Sequence, residues 1–517
     1  MSRSPRLDAA FAGLVATGAA IATGELIAGL LMGAPSPILS VGRAVIDLQP
    51  PGAKEVVVSL FGTADKLALE IGVAVVALAV GAILGIVGLR RPAIATGILG
   101  AFVLAGLAAG LQDPETQPPL AVGAALAELL VGTAILDRLL RLVRPMTAGR
   151  AGSRDAGQPK GEMPDWSRRT LLLRGGGIAV GSIAAAAVGR TLLLGQRVPV
   201  AGANAPTPEL AASLPAGASL TVDEITPIVV PNADFYRIDT ALLVPNIDRD
   251  VWRLRIHGMV DHEVSLSYAD LTALPIIEQY VTIACVSNSV GGDLVGNAKW
   301  TGVRLRDVLD MAGVQAGATQ LVGRSADGWT AGSPTAWVMD PEREPMIAFA
   351  MNGEPLPREH GYPARVIIPG LYGYVSATKW VTELELTRLE DFDAYWVPLG
   401  WSKEAPILTQ SRIDRPSRGA TVAAGPYTFG GVAWAPDRGI AKVEVQVDDA
   451  EWQVATLSVP ISKATWVQWA VDGTVGPGGH RVRVRATDST GETQTEVITR
   501  SDPNGARGWH IVPFNAA

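Results

Sequence analysis

Five stretches of the chain are nearly devoid of polar side chains: residues 9–32, 67–89, 94–111, 120–140 and 171–194. A hydrocarbon core of about 30 Å takes roughly 20 apolar residues as a helix. Each stretch therefore predicts a membrane-crossing helix. Glycine recurs in all five, as close packing between membrane helices uses it. After residue 220 the pattern changes. Residues 252–257 alternate apolar and polar, as a half-buried strand does. Residues 267–274 predict a short helix, with Ser267 as its N-cap and Pro275 just past its end. Residues 280–285 predict a strand ending on Cys285, 304–312 an amphipathic helix and 364–369 a buried strand. Mixed strands and short helices indicate an α+β domain. From about residue 406 the pattern is all-β. Residues 440–447 and 481–486 alternate strictly, and turn signals sit at Asp448-Asp449 and Gly476-Pro477-Gly478-Gly479. Short strands over such a length suggest an immunoglobulin-like sandwich.

Charge adds a direction. Arg3 and Arg6 precede the first stretch, and Arg90 and Arg91 lie between the second and third. Arg138, Arg141, Arg144, Arg150, Arg154, Lys160, Arg168 and Arg169 cluster between the fourth and fifth. The positive-inside rule puts these three groups in the cytoplasm. The connections 35–66 and 112–119 then face outward. The chain leaves the cytoplasm after the fifth helix, and residues from about 196 onward are extracytoplasmic. The expected location is a bacterial cell membrane, multi-pass. Ser167-Arg168-Arg169 before the fifth stretch resembles a twin-arginine export signal, which serves proteins that cross folded. Ordinary positive-inside arginines would read the same way. Ala201-Gly202-Ala203 could pass for a cleavage site, but four preceding helices argue for a retained anchor. Glu25 and Glu128 fall inside apolar stretches. Each is either functional or a hydrogen-bonded carboxyl that orders the bundle.

Net charge is -7 over 517 residues, so nothing global favours nucleic acid as a partner. One cysteine excludes a disulfide within the chain and a zinc site of several thiolates. The five histidines all lie beyond residue 250. None falls in an apolar stretch, so a bis-histidine membrane haem is not expected.

The densest chemistry lies in three blocks. Thr282-Ile283-Ala284-Cys285-Val286-Ser287-Asn288 leads through Gly291-Gly292 to Trp300-Thr301-Gly302-Val303-Arg304-Leu305-Arg306-Asp307-Val308-Leu309. His360-Gly361-Tyr362-Pro363-Ala364-Arg365 leads through Ile368-Pro369-Gly370 and Gly373 to Lys379-Trp380. Asn232-Ala233-Asp234-Phe235-Tyr236-Arg237-Ile238-Asp239 precedes both. In this order they resemble the sulfite oxidase family: its Cys-x-x-Asn at a strand end, its Trp-x-Gly-Val-x-Leu-x-Asp-Val-Leu segment, its His-Gly-x-Pro-x-Arg block and its cofactor-lining entry segment. The resemblance implies a mononuclear molybdenum held by a pyranopterin dithiolene and by Cys285. A lone cysteine is otherwise usually a buried small hydrophobe. It further implies that Arg365 and Lys379 anchor the pterin phosphate and that His360 hydrogen-bonds the same group. Asn232, Phe235, Tyr236, Arg237, Asp239, Ser325, Asp327, Ala377 and Thr378 would line the pocket. The family's arginine in the entry segment aligns here only with a gap.

Two departures bear on substrate. Sulfite-oxidising members carry arginines soon after Cys-x-x-Asn, where this chain has Ser289 and Val290. The family's active-site tyrosine follows the Lys-Trp segment, where this chain offers Tyr395 and Trp401. The segments around Trp434, Val445, Trp452, Trp466, Trp469 and Asp488 resemble the family's C-terminal domain, which implies a homodimer through it. The expected architecture runs as follows: a four-helix transmembrane domain with a basic cytoplasmic loop (1–165), a fifth transmembrane helix with the twin-arginine-like signal (166–196) and a linker (197–220). A molybdopterin domain (221–403) and an immunoglobulin-like domain (404–517) follow. The expected activity is two-electron oxygen-atom transfer on a small-molecule substrate, with electrons exchanged through an external partner. A sulfoxide reductase on the same scaffold, for example for methionine sulfoxide, and a non-catalytic membrane-tethered scaffold or sensor are the other readings.

Overall fold

The computed structural model describes residues 5–50, 57, 60–61, 64–151, 166–195 and 205–517. The chain divides into two compact units, Met1–Arg197 with Thr240–Leu243, and Val198–Asp239 with Val244–Ala517.

The first unit is helical: α1 Pro5–Leu30, α2 Pro37–Asp47, α3 Asp65–Gly88, α4 Pro92–Gly110, α5 Pro118–Ala151 and α6 Trp166–Gly195. All but α2 are long and apolar enough to cross a membrane. They coincide with the five apolar stretches. Helix α1 packs against α3, α5 and α6. Two glycine contacts permit this. A Cβ on Gly85 of α3 would overlap the carbonyl of Ala9, and one on Gly29 of α1 would overlap the carbonyl of Gly189 in α6. Backbones this close gain dispersion contact where lipid offers no hydrophobic drive.

Helix α2 corrects the expectation of a plain connection over 35–66. Its 11 residues are too short to span, so the search for long apolar stretches passed over it. A local signal was present. Ser36 accepts from the Leu39 N–H at 3.3 Å, and Pro37 occupies the first turn. Arg154 and Lys160, the Ala201-Gly202-Ala203 stretch and most of the connection 51–63 lie outside the described residues.

The second unit begins with two sheets of five strands. One has the order β2-β1-β10-β5-β6, from β1 (Arg253–Gly258), β2 (Val264–Ser267), β5 (Gln320–Ser325), β6 (Thr330–Pro334) and β10 (Val381–Thr387). The other has the order β3-β4-β7-β8, from β3 (Ile276–Ala284), β4 (Val295–Arg304), β7 (Met346–Met351) and β8 (Glu354–Pro355), with β9 (Arg365–Ile367) also on β7. All six residues of β7 are buried, which explains its unbroken apolar run. In β1, Leu254 and Ile256 are buried and alternate with exposed neighbours. Four short helices complete the layer: α7 Tyr268–Thr272, α8 Leu305–Asp310, α9 Thr335–Val338 and α10 Gly373–Ser376. Ser267 caps α7 through a reciprocal box with Asp270, as the sequence indicates.

The remaining strands form two facing sheets, β11-β13-β17-β16 and β12-β19-β18-β14-β15. The former takes β11 (Gln410–Arg415), β13 (Gly425–Trp434), β16 (Thr456–Leu457) and β17 (Val467–Val475). The latter takes β12 (Thr421–Val422), β14 (Ile440–Val447), β15 (Gln453–Val454), β18 (Gly478–Asp488) and β19 (His510–Ala516). Their inner faces share a core that includes Phe429, Val443, Val445, Trp469, Val482, Val484 and Phe514. Alternation with a period of two puts those residues on one side.

The sandwich is bonded to β3. Thr282 donates its N–H to Ala464 O at 2.9 Å, and its Oγ1 accepts from the Trp466 N–H at 2.8 Å. The Ala- and Pro-rich segment expected as a linker over 197–220 is also packed along its second half. Glu209 donates to Ile276 O at 2.9 Å, and Leu220 to Gln468 Oε1 at 2.7 Å.

Candidate active site

Cys285 stands one residue past β3 and is buried. A tight loop returns the chain from it to β4. The Cys285 N–H donates to Leu294 O at 2.9 Å, and the Asn288 N–H donates to Cys285 O at 3.1 Å. Asn288 Oδ1 accepts from the Leu294 N–H at 3.0 Å. The sandwich holds the far side of this loop. Gly291 (φ +76°) rests on the His510 ring, where a Cβ would overlap the imidazole. Arg412 donates to Gly292 O at 3.1 Å, while its Nε pairs with Asp414 at 2.6 Å. His510 Nδ1 accepts from the Ile413 N–H at 3.0 Å. Burial and the nearby Arg412 and Arg418 push this imidazole down to about 4.

A second group gathers around Arg365, the first residue of β9. Its guanidinium lies 4.9 Å from the centre of the Trp300 ring and donates to His360 O at 3.0 Å. The side chain is 5% exposed, and no carboxylate pairs with it among the described residues. Burial lowers its pKa to about 10. Phe235 joins the cluster, edge-on to Trp300 at 5.8 Å and to His360 at 5.6 Å, and stacks on Tyr236 at 5.3 Å. Burial pushes the Tyr236 hydroxyl far above its usual value. Cys285 adds to the rise and Arg365 opposes it, so Tyr236 lies within the field of both.

Gly361 (φ +114°) makes the turn that brings His360, Arg365 and Lys379 together; a Cβ there would sit 3.1 Å from both Arg365 Cβ and Lys379 Cα. Burial first, then Arg365, lower the His360 pKa to about 4. The ring is neutral at neutral pH, and its Nε2 faces Asn232 O at 3.2 Å. Lys379 bonds Asp239 Oδ2 at 2.8 Å and Glu359 O at 3.0 Å. Arg237 shares Asp239 at 2.8 Å. Burial lowers the Lys379 pKa to about 8 against the partly compensating Asp239. The β5–β6 turn lies beside it: Ala326 donates to Trp380 O at 2.9 Å, and Ser325 and Asp327 are both buried. Asp327 Oδ1 accepts from the Trp329 N–H at 3.2 Å. Thr378 and Ala377 are buried just before Lys379, and Thr378 fills the space above Gly323.

Not every expected residue joins this cluster by its side chain. Asn232 spends its amide on Met351 O, Glu354 and Asn352, at 3.2, 3.2 and 2.9 Å. Trp401 is buried 6.0 Å from the Tyr374 ring, and Tyr395 packs edge-on to Trp396 at 5.1 Å. The second hydroxyl in the field of Cys285 belongs to Tyr372, pushed up to about 12 chiefly by burial. Tyr372, His510 and Arg412 were not singled out from sequence. Tyr372 lies inside the Gly370–Gly373 run of the second block. The other two come from strands more than 100 residues beyond Cys285, and no local pattern marks them.

Three relatives bear on this arrangement. The oxidoreductase molybdopterin binding domain family matches residues 241–396. Human mitochondrial sulfite oxidase is 31% identical over 319 residues, 52% of this chain and 58% of that protein. The Bacillus subtilis oxidoreductase YuiH, described as uncharacterized, is 35% identical over 154 residues, 30% of this chain and 74% of that protein. The chain belongs to the sulfite oxidase family of molybdopterin-binding oxidoreductases. Rice NADH nitrate reductase 1 is 28% identical over 320 residues, 49% of this chain and 35% of that enzyme. The chain thus spans little more than half the length of human sulfite oxidase and about a third of the rice enzyme.

Like the rest of its family, this oxidoreductase works with molybdenum bound to molybdopterin, and its own residues fit that group. Among the described residues, Arg365 Nε, Asn288 Nδ2 and Ser325 Oγ are buried without a hydrogen-bond partner. An unpaired buried polar atom costs about 1–3 kcal/mol, more if charged. Three of them, one on a guanidinium, suit a polar anionic ligand that supplies acceptors.

The Lys379 pKa gives this family member a pH signature. In the unfolded chain the amine holds its proton up to about 10.5, in the fold only to about 8. Between those values the unfolded state binds more protons, so the cofactor-free protein gains stability as pH rises. If Lys379 anchors the pterin phosphate, that role needs the charged amine, and cofactor retention is expected to move the other way, weakening as pH climbs past 8. Thermal midpoints of cofactor-free protein and pterin release from loaded protein, both from pH 7 to 10, check the two signs.

Proposed function

We propose that this chain is a membrane-anchored enzyme that transfers an oxygen atom to or from a small molecule with two electrons, using Cys285 as the protein ligand to molybdenum. The observation that carries the reading is the buried, carboxylate-free Arg365 guanidinium, set beside Lys379 and His360 on one turn and sharing Tyr236 with Cys285. A buried cation with no anionic partner calls for an anion. The pterin phosphate is that anion. Arg365 and Lys379 hold it, neutral His360 orients it, and Asn288 and Ser325 offer their unpaired groups to the pterin. When bound, the cofactor supplies the oxygen-atom chemistry and the two-electron redox change. The protein holds the pocket dry and fixes the Cys285 thiolate through the Leu294 and Asn288 backbone bonds. Tyr236 and Tyr372, both kept protonated by burial, offer hydroxyls on the Cys285 side. Tyr395 and Trp401, farther along the chain, remain candidates for the substrate wall.

The five apolar helices support anchoring, and the placement of arginines supports extracytoplasmic cofactor and sandwich domains. On this reading the paired Arg168 and Arg169 serve export of a folded, loaded protein. The two-sheet sandwich is immunoglobulin-like and is the surface through which a homodimer forms. Electrons pass to or from an external partner. Metal and pterin content of the purified protein, with a Mo(V) paramagnetic resonance signal after partial reduction, tests the reading. Protein free of metal, made where the cofactor is made, would sink it.

A specific observation favours a sulfoxide over sulfite as substrate. Residues 286–293 carry a single charged side chain, Asp293, and Arg412 beneath them is paired with Asp414. An oxyanion finds no cation on this loop, whereas a neutral sulfoxide needs none. Sulfite turnover is therefore expected to be poor. Ser289→Arg, at an exposed site, is expected to raise kcat/KM for sulfite about tenfold or more, the scale of one charge-assisted hydrogen bond. Steady-state kinetics on sulfite and on methionine sulfoxide would show it. Efficient sulfite turnover by the unaltered protein would reverse the preference.

A further inference from the structure

Within the helical unit, α1 to α5 line a half-open cavity of about 500 Å3. Ile21, Val41, Val73 and Phe102 are typical of its wall. Among the described residues, Thr17 and Glu128 are its only polar side chains. The volume falls in the range of small-molecule sites, which occur between bundle helices.

Glu25 and Glu128 differ: Glu25 is buried and Glu128 half-buried. Glu25 is satisfied: Ser36 Oγ donates to it at 2.6 Å and the Ile38 N–H at 3.1 Å. Its role is to tie α2 to α1. Glu128, on α5, has no hydrogen bond among the described residues and faces the cavity. Gly24 of α1 leaves the room it occupies; a Cβ there would overlap Glu128 Oε1. Gly189, six residues before the end of α6, packs on the Glu25 carbonyl.

An apolar cavity with one unpaired carboxyl selects an apolar ligand that carries an oxygen. A saturated acyl chain would fill the space and leave the carboxyl unmatched. A quinone ring matches both. A protonated carboxyl donates to a quinone carbonyl, and an ionised one accepts from a quinol hydroxyl. We propose that this cavity binds the ring of a lipid-soluble quinone, with Glu128 hydrogen-bonded to one ring oxygen. The choice of a two-electron carrier over other apolar ligands rests on the oxidoreductase reading above.

The test uses the full chain in quinone-free nanodiscs and an azido-naphthoquinone photoprobe. Saturable labelling is expected on peptides that contain Ile21 and Phe102, displaced by unlabelled naphthoquinone and not by equal oleate. Glu128→Leu is expected to weaken it about tenfold, the value of a hydrogen bond to an ionisable group. Gly106→Leu and Gly72→Leu are expected to abolish it. Both glycines line the cavity, and a Cβ on either meets nothing within 4 Å, so these variants fill space without disturbing the helices. All three should keep wild-type molybdenum content and dye-linked turnover. Labelling unchanged in the glycine variants, unchanged affinity in Glu128→Leu, or equal displacement by oleate would overturn the proposal. Labelling is read whether or not metal is present. A metal-free wild type would therefore count against the enzyme reading, and the cavity would still be judged on its own data.

Discussion

Cys285→Ser is expected to give a folded protein that keeps its pterin and loses turnover by at least about 100-fold, the upper end of what losing even an outer-shell partner of a metal costs. The two halves of that expectation have different origins. Pterin retention, on the proposed reading, rests on Arg365, Lys379 and His360, none of which the substitution touches. Turnover, on the proposed reading, rests on Cys285 as the metal's ligand, and a serine oxygen is a harder and weaker donor than a thiolate. The Cys285 position is buried and fixed at both backbone groups. The serine therefore stands in the same place, and the change is one of donor chemistry. Oxidative release of the pterin, metal analysis and the Mo(V) spectrum separate these effects. A variant with wild-type turnover and an unaltered spectrum would remove Cys285 from the metal.

Arg365→Met should produce a crossed result. In the loaded protein it removes one partner of a buried charge pair, a loss of about 2–5 kcal/mol in cofactor binding. In the cofactor-free protein it removes an unpaired buried cation, and apolar replacements of buried ions are neutral or stabilising by about 1–4 kcal/mol. The methionine keeps the apolar contact with Trp300. The expected pattern is a higher thermal midpoint without cofactor and a much lower pterin content after purification. A midpoint that falls without cofactor would mean that Arg365 serves the fold, and the phosphate would need another anchor.

The sequence made some of this legible and hid the rest for physical reasons. Membrane-length helices are written as uninterrupted apolar runs, so all five were readable to within about five residues, except that α5 runs on past residue 140 to Ala151. Period-two alternation exposed β1, β14 and β18, because each shows one face to a core. Cys285, Arg365, Lys379 and Phe235 were readable because they sit in short blocks on or beside single turns. Three things were not. Helix α2 is short, and its Ser36-Pro37 start lies in a stretch judged by hydropathy. The division of labour within the entry segment needed coordinates: Tyr236 faces Arg365 and Cys285, while the Asn232 amide is spent on β7 and β8. Arg412 and His510 reach the Cys285 loop through tertiary pairing, which leaves no local trace, and Tyr372 sits unmarked among the glycines of the second block.

That last contact has a consequence for how the protein is made. The loop after Cys285 is braced by His510, the first residue of β19, and the strand before it by Ala464 and Trp466. Ribosomal synthesis releases Cys285 more than 200 residues before His510. Throughout that interval the cysteine has left the ribosome on a loop whose far wall does not yet exist. The setting of the proposed metal ligand is thereby tied to completion of the chain. A stalled or truncated product that lacks the last strand would carry every pterin-anchoring residue and still present an unbraced thiol. Such a product would lack the brace that the last strand gives the Cys285 loop, so on the proposed reading the metal site is finished only when the chain is.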